Sequence, residues 1–235
     1  MKQKVIYITG GTKGIGFGVA KVLLEKGYAV AFSGRKAEDV KQAELELQKV
    51  APFVMGVASD VTQLTDEQNA VQQIVERFGR IDAVIANAGL GIFKPIDELS
   101  EEDWNAMITT NLTGAFFTLK ASVEALKKTE GYYISISSLA GTNFFENGTG
   151  YNASKFGVVG FTQAAMLDLR KYNIKVSTIM PGSVSSNFNG HTPSESDAWK
   201  IQPEDIGALI VDMLEMNPRT LPSKIEIRPT RPDLK

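Results

Sequence analysis

The residues Thr9-Gly10-Gly11-Thr12-Lys13-Gly14-Ile15-Gly16 decide the fold of this chain. A short run rich in β-branched residues, 5–9, leads into them, and a helical pattern over 14–26 leads out. The first run reads as a strand buried on both faces. In the second, Ile15, Val19, Val22 and Leu23 share one stripe and Gly27 ends the helix. Glycines between a first strand and a first helix let the backbone turn tightly and approach a pyrophosphate. The helix start then points free N–H groups and a positive dipole end at the anion. That context makes Gly10, Thr12, Lys13, Gly14, Ile15 and Gly16 candidate dinucleotide-binding residues.

The rest of the chain repeats the alternation. Strands are expected at 29–33, 53–57, 81–86, 132–136, 175–179 and 224–227. Helices are expected at 37–49, from a Thr65 N-cap with Gln68 completing a capping box through Phe78, at 100–128 behind Ser100 and Asp103, at 151–172 and at 203–216. Such alternation demands a parallel sheet, because each crossover must return over a face of it. The expected fold is α/β: a single-domain doubly wound Rossmann fold, with a mostly parallel seven-stranded sheet flanked by helices. One domain over 1–235 is expected, with a cofactor half at about 1–90 and a catalytic and substrate half at about 91–235. The one long polar insertion, 187–202, has the composition of a lid.

Composition narrows the chemistry. There are no cysteines, which excludes disulfides, thiolate catalysis and cysteine–zinc sites. A single histidine, His191, argues against a multi-histidine metal site. The formal net charge of -2 gives no long-range pull toward nucleic acid or an anionic membrane. No apolar run reaches the roughly 20 residues of a membrane span, and a cytoplasmic location is expected.

The glycine spacing is TGxxxGxG rather than GxGxxG, and with it the chain resembles the short-chain dehydrogenase/reductase family. The second strand ends at Ser33-Gly34-Arg35-Lys36. A carboxylate here would hold a ribose 2′-hydroxyl and repel a 2′-phosphate, and none is present. Arg35 can pair with a phosphate bidentately, and Lys13 adds a second positive charge. NADP(H) is therefore the expected cofactor. The resemblance also implies an adenine contact from Asp60 and Val61, although Asp60 alone reads equally well as a turn residue. Ala86-Asn87-Ala88-Gly89 resembles the family's NNAG element, with Ala86 in place of the first Asn. The resemblance gives Asn87 a bracing role and lays Gly89 against the ribose.

Tyr151-Asn152-Ala153-Ser154-Lys155 sets a phenol and an amine four residues apart, on one face if helical. A neighbouring ammonium favours the phenolate and is expected to lower the Tyr151 pKa, making it a proton donor and acceptor. Alone, this spacing is as ordinary as any surface Tyr–Lys pair. Its context matches the family's Asn, Ser, Tyr, Lys tetrad: Asn111 in an NLTG stretch, and Ser138 thirteen positions before Tyr151, a spacing Ser137 does not meet. The resemblance implies that Ser138 positions the substrate oxygen, Tyr151 exchanges its proton, Lys155 binds the nicotinamide ribose, and Asn111 holds a relay water through its backbone carbonyl. Pro181-Gly182-Ser183-Val184-Ser185-Ser186 resembles the PGxVxT element, whose backbone meets the nicotinamide carboxamide, with Ser186 replacing the Thr. Pro181, Gly182, Val184 and Ser186 are candidate cofactor residues on that ground.

Candidate substrate residues are Phe93, Leu139, Phe145 and Phe188, with Phe144 and Trp199 as further aromatics, which implies an apolar or aromatic carbonyl compound. Each also reads as packing. Family resemblance suggests a homodimer or homotetramer, with Ala115, Phe116, Phe117, Leu119 and Val123 serving either core or interface. The expected function is an NADP(H)-dependent oxidoreductase acting on a small carbonyl or alcohol, such as a carbonyl reductase or alcohol dehydrogenase. The alternatives are a dedicated biosynthetic reductase of 3-oxoacyl-carrier-protein or pteridine type, and a non-catalytic NADP-binding sensor. The 221–235 tail weakly resembles that of carbonyl-reductase and sepiapterin-reductase-like members.

Overall fold

A computed structural model describes residues 3–231; the end of the tail comparison, 232–235, lies outside the described residues. The strands are β1 (Val5–Ile8), β2 (Ala29–Gly34), β3 (Val54–Ala58), β4 (Ala83–Ala86), β5 (Tyr132–Ile136), β6 (Lys175–Pro181) and β7 (Lys224–Ile227). They form one sheet in the order β3-β2-β1-β4-β5-β6-β7, and every pairing is parallel. The strand order reverses between β1 and β4, which opens a crevice at their carboxyl ends.

The helices are α1 (Gly14–Glu25), α2 (Ala37–Gln48), α3 (Leu64–Phe78), α4 (Glu101–Met107), α5 (Gly114–Thr129), α6 (Thr149–Leu169) and α7 (Pro203–Glu215). β1 is buried along its whole length, so its side chains alternate between two cores. Ile6 and Ile8 pack with Val19, Leu23, Ile206 and Ile210 on one face. Tyr7 packs with Ile74, Leu119, Leu126 and Tyr133 on the other. Each fully buried aliphatic side chain contributes about 1.5–3 kcal/mol. α1 and α7 approach closely through glycine: a Cβ on Gly18 would lie 2.4 Å from Pro203 Cβ.

Two helix expectations are corrected. α3 starts at Leu64, with Gln63 in the cap position and no side-chain cap, so Thr65 lies inside the first turn and forms no capping box with Gln68. Glu67 in the first turn is drawn inward and accepts hydrogen bonds from Ser59 Oγ (2.7 Å) and the Tyr7 hydroxyl (3.1 Å). The 100–128 helix is interrupted: Ser100 caps α4 through Asp103 N–H (3.1 Å), but Ile108–Thr113 form a π-helical turn before α5. Smaller shifts occur elsewhere; α6 begins two residues earlier than 151, at Thr149. Among the described residues, no helix is long and apolar enough to cross a membrane.

Candidate active site

The glycine turn and the residues after β4 are built as one piece. Asn87 donates through Nδ2 to the carbonyls of Thr9 (2.9 Å) and Gly10 (3.0 Å). Thr9 Oγ1 accepts from the backbone N–H groups of Asn87 and Ala88, both at 3.1 Å. Side chains are excluded from this turn: a Cβ on Gly16 would lie 2.4 Å from the Gly10 carbonyl oxygen, and one on Gly10 2.9 Å from Ala88 Cα. Gly10 and Gly14 have φ of 65° and 57°, which favours glycine. α1 has no side-chain cap at Lys13 and no acidic residue in its first turn. Its leading N–H groups therefore remain available to an anion at the switch point.

Around this turn stand the other candidate cofactor residues. Gly34 closes β2 beside Thr12, and Arg35 follows it. Asp60 Oδ1 accepts from Thr62 N–H (2.9 Å) and Oγ1 (2.8 Å), so that oxygen is engaged in a local turn. Val61 is buried and lies under Gly114. Gly89 approaches Asn111 Oδ1 and Lys155 Nζ, which would lie 3.1 and 3.6 Å from an added Cβ. Pro181 ends β6, Gly182 is hydrogen-bonded to the Ile227 carbonyl (2.8 Å), and Val184 pairs with Ile201 at the base of the 187–202 loop. Ser186 Cβ would lie 3.4 Å from a Cβ on Gly14, facing the glycine turn across the crevice.

The acid–base candidates converge at the carboxyl edge of β5. Ser138 follows β5 and caps the short turn Leu139–Gly141, its Oγ accepting from Ala140 N–H (3.1 Å). Ser137 instead turns inward and donates to the Lys155 carbonyl (3.1 Å). Tyr151 and Lys155 lie on the buried face of α6, where Lys155 Nζ donates to the Ile136 carbonyl (3.1 Å). Lys155 Nζ is 5.7 Å from the Tyr151 ring centre. The π-helical turn carries Asn111, whose Nδ2 donates to the Leu90 carbonyl and Ser154 Oγ, both at 2.9 Å, while Oδ1 accepts from Leu90 N–H (2.8 Å).

Burial governs the titration of this pair. It pushes the Tyr151 phenol up to about 12, and the Ser138 hydroxyl opposes that. It pulls the Lys155 amine down to about 8. The expected lowering of the phenol by Lys155 is not found; desolvation raises it instead, and also makes the ammonium itself costly to hold.

Of the candidate substrate residues, Phe93, Phe145 and Phe188 gather around Tyr151, and Leu139 lies against Gly182. Phe144 does not join them; it is 82% exposed and stacks on Phe156 of α6 at 5.2 Å. Trp199 stands under Lys200, 5.8 Å from its ring centre. Leu90 and Ile92 fall in the 90–94 stretch expected as a wall of the substrate site; Met107 and Leu99 were missed, and the four with Ala140 form the small apolar cluster that seats Tyr151. Met107 lies four residues before Asn111, but no spacing rule marks it or Leu99.

A family model described as short chain dehydrogenase matches residues 4–197. The chain belongs to the short-chain dehydrogenase family. This short-chain dehydrogenase is 31% identical over 240 residues to a sepiapterin reductase of Chlorobaculum tepidum, covering 99% of this chain and 98% of the relative. An alcohol dehydrogenase from Thermococcus sibiricus, complexed with 5-hydroxy-NADP, superposes with a TM-score of 0.91 at 30% identity, over 99% and 100% of the two chains. A metagenomic short-chain oxidoreductase in complex with NADP gives 0.84 at 28% identity, over 97% and 98%.

Proposed function

We propose that this short-chain dehydrogenase moves a hydride between NADP(H) and a carbonyl or alcohol carbon, with Tyr151 exchanging the proton on the oxygen. The observation that carries the reading is the convergence of Ser138, Tyr151, Lys155 and Asn111 beside the glycine turn, at the carboxyl edge of a switch-point sheet. The glycine turn fits a dinucleotide, because α1 starts behind it with no side-chain cap and no first-turn carboxylate, leaving its leading N–H groups to an anion. Gly10, Thr12, Lys13, Gly14, Ile15 and Gly16 hold its pyrophosphate. Arg35 and Lys13 hold the 2′-phosphate, with no carboxylate at Gly34 to oppose it. Asp60 and Val61 meet the adenine, Asn87, Ala88 and Gly89 the ribose, and Pro181, Gly182, Val184 and Ser186 the carboxamide. The NADP-type ligands of the two similar structures support this assignment.

The bound nicotinamide supplies the hydride in reduction and accepts it in oxidation. Ser138 directs the substrate oxygen toward Tyr151. In reduction Tyr151 gives its proton to that oxygen, forming the alcohol; in oxidation it takes the proton back. A phenol near 12 is a ready donor only when the phenolate left behind is stabilised. Lys155, as ammonium, supplies part of that stabilisation and holds the nicotinamide ribose. Asn111 returns the proton to Lys155 through a water at its backbone carbonyl.

Tyr151→Phe is expected to abolish NADPH-dependent carbonyl reduction while leaving NADPH affinity nearly intact. Retained turnover overturns the assignment. Arg35→Ala is expected to weaken NADPH about tenfold with little change for NADH, read by cofactor fluorescence; equal losses remove the 2′-phosphate argument. A wild-type protein that binds NADPH but reduces no carbonyl would be the sensor instead. The sepiapterin reductase relative favours a second reading, a dedicated pteridine reductase. Turnover of sepiapterin above every simple ketone tested supports it. The proposal includes a homodimer or homotetramer in the cytoplasm. Phe116 on α5 and Phe156 and Leu167 on α6, 44%, 37% and 58% exposed, support the self-association.

A further inference from the structure

Three phenylalanines from three separate segments enclose the reacting phenol. Phe93 meets Tyr151 edge-on, with ring centres 5.3 Å apart and planes at 80°. Phe188 stands at 5.8 Å and Phe145 at 6.4 Å. The walls also touch each other, Phe93 to Phe145 at 5.7 Å and Phe93 to Phe188 at 6.5 Å. Glycines seat two of them: a Cβ on Gly91 would lie 2.7 Å from the Phe188 ring, and one on Gly148 2.7 Å from the Phe145 ring. A backbone hydrogen bond from Lys94 N–H to the Asn147 carbonyl (3.0 Å) ties the Phe93 segment to the Phe145 segment. Tyr151 is only 8% exposed, yet Phe93, Phe145 and Phe188 keep 38%, 46% and 36% of their surface open. Those open ring surfaces are what a bound molecule would cover.

The charges on these segments are already engaged. Lys94 is paired with Asp103 (2.6 Å), and His191 and Lys200 both with Asp197 (2.5 Å each). Lys155 is buried and turned to the Ile136 carbonyl. Glu146 adds an exposed negative charge next to Phe145. An anionic group brought among these rings would lose its hydration and find Lys94, Lys155 and Lys200 already engaged. A flat ring would find edges and faces at stacking distance.

We propose that the substrate is an uncharged compound whose reacting carbonyl is conjugated to a flat aromatic ring, gripped by Phe93, Phe145 and Phe188, and that the site rejects carbonyls bearing an anionic group beside the reacting carbon. This rests on the hydride-transfer reading and names the substrate class for it.

Matched probes test it: 1-phenylpropane-1,2-dione (neutral, aryl), hexane-2,3-dione (neutral, alkyl) and phenylglyoxylate (aryl, anionic). The aryl dione is expected to exceed the alkyl dione about tenfold in kcat/KM and phenylglyoxylate about a hundredfold. Phe93→Leu and Phe145→Leu are expected to raise KM for the aryl dione about three- to tenfold more than KM for hexane-2,3-dione. Equal or better turnover of either competitor, or equal losses for both diones in the variants, overturns the proposal. Calorimetric binding of the probes to Tyr151→Phe with NADP⁺ reads the aromatic enclosure without turnover. An inactive wild type whose Phe variant still ranks the probes in this order sinks the hydride-transfer reading and keeps the binding class. A flat ranking there sinks the class itself.

Discussion

At the scale of single residues, the cofactor end is fixed by packing as well as charge. A Cβ on Gly34 would lie 2.5 Å from Thr12 Cγ2 and 3.2 Å from Val40 Cγ2, and both neighbours are β-branched and stiff. Gly34→Asp is therefore expected to lose NADPH without gaining NADH. Thr12→Ala/Gly34→Asp is expected to bind NADH about tenfold better than Gly34→Asp alone; equal NADH affinities would refute the packing account. Lys155 gives a pH signature. Its amine is held down to about 8, against 10.5 for an ordinary lysine. Between those values the unfolded chain binds more protons than the folded one, so stability rises with pH and falls again as pH drops through 8. Wild type should gain about 3 kcal/mol over Lys155→Met across that window, measured by urea melts; parallel profiles would mean the amine is not held down. The four proposed acid–base positions were legible because Asn111, Ser138, Tyr151 and Lys155 match the family's tetrad in order and spacing. Their protonation was not, because burial depends on Met107, Leu90 and the phenylalanines, which spacing does not link to Tyr151.

At the scale of elements, periodicity found the strands and helices but not their interruptions. The 100–128 stretch carries its cap signal at Ser100 and holds no proline, so nothing in residue type marks the π-helical turn, with its extra residue, at Ile108–Thr113. That extra residue lies in the segment where Asn111 reaches both Leu90 and Ser154. The start of α3 was misplaced because Thr65 and Gln68 match the capping-box pattern, whereas the helix starts at Leu64 without a side-chain cap and buries Glu67 between Tyr7 and Ser59. Desolvation raises its pKa above the ordinary carboxylate value, against the donors around it. The folded state then holds a proton longer than the unfolded chain, so its contribution is present at low pH and lost as pH rises through the folded value. Glu67→Gln should accordingly gain on wild type as pH rises from about 4 to 8, seen in denaturant midpoints. A constant difference would show that Glu67 does not titrate in the fold.

For the whole molecule, the doubly wound fold and its parallel sheet followed from the alternation of elements, because crossover geometry leaves few alternatives. Assembly did not follow, because Phe116, Phe156 and Leu167 share helices with core residues and periodicity cannot separate an outer apolar face from an inner one. Phe116→Glu with Leu167→Glu should convert the proposed oligomer to monomer in sedimentation velocity with NADPH affinity retained; an unchanged coefficient would exclude this face. The pairing of β1 with β4 also orders events in time. Its partners, such as Ile6 and Ala83, are far apart in the chain, whereas β1 meets β2 through a much shorter crossover. During synthesis the glycine turn emerges well before β4. It becomes a binding site only after Asn87 has emerged to brace it, so the nascent chain cannot be rescued by its cofactor until β4 and the residues just after it have been made.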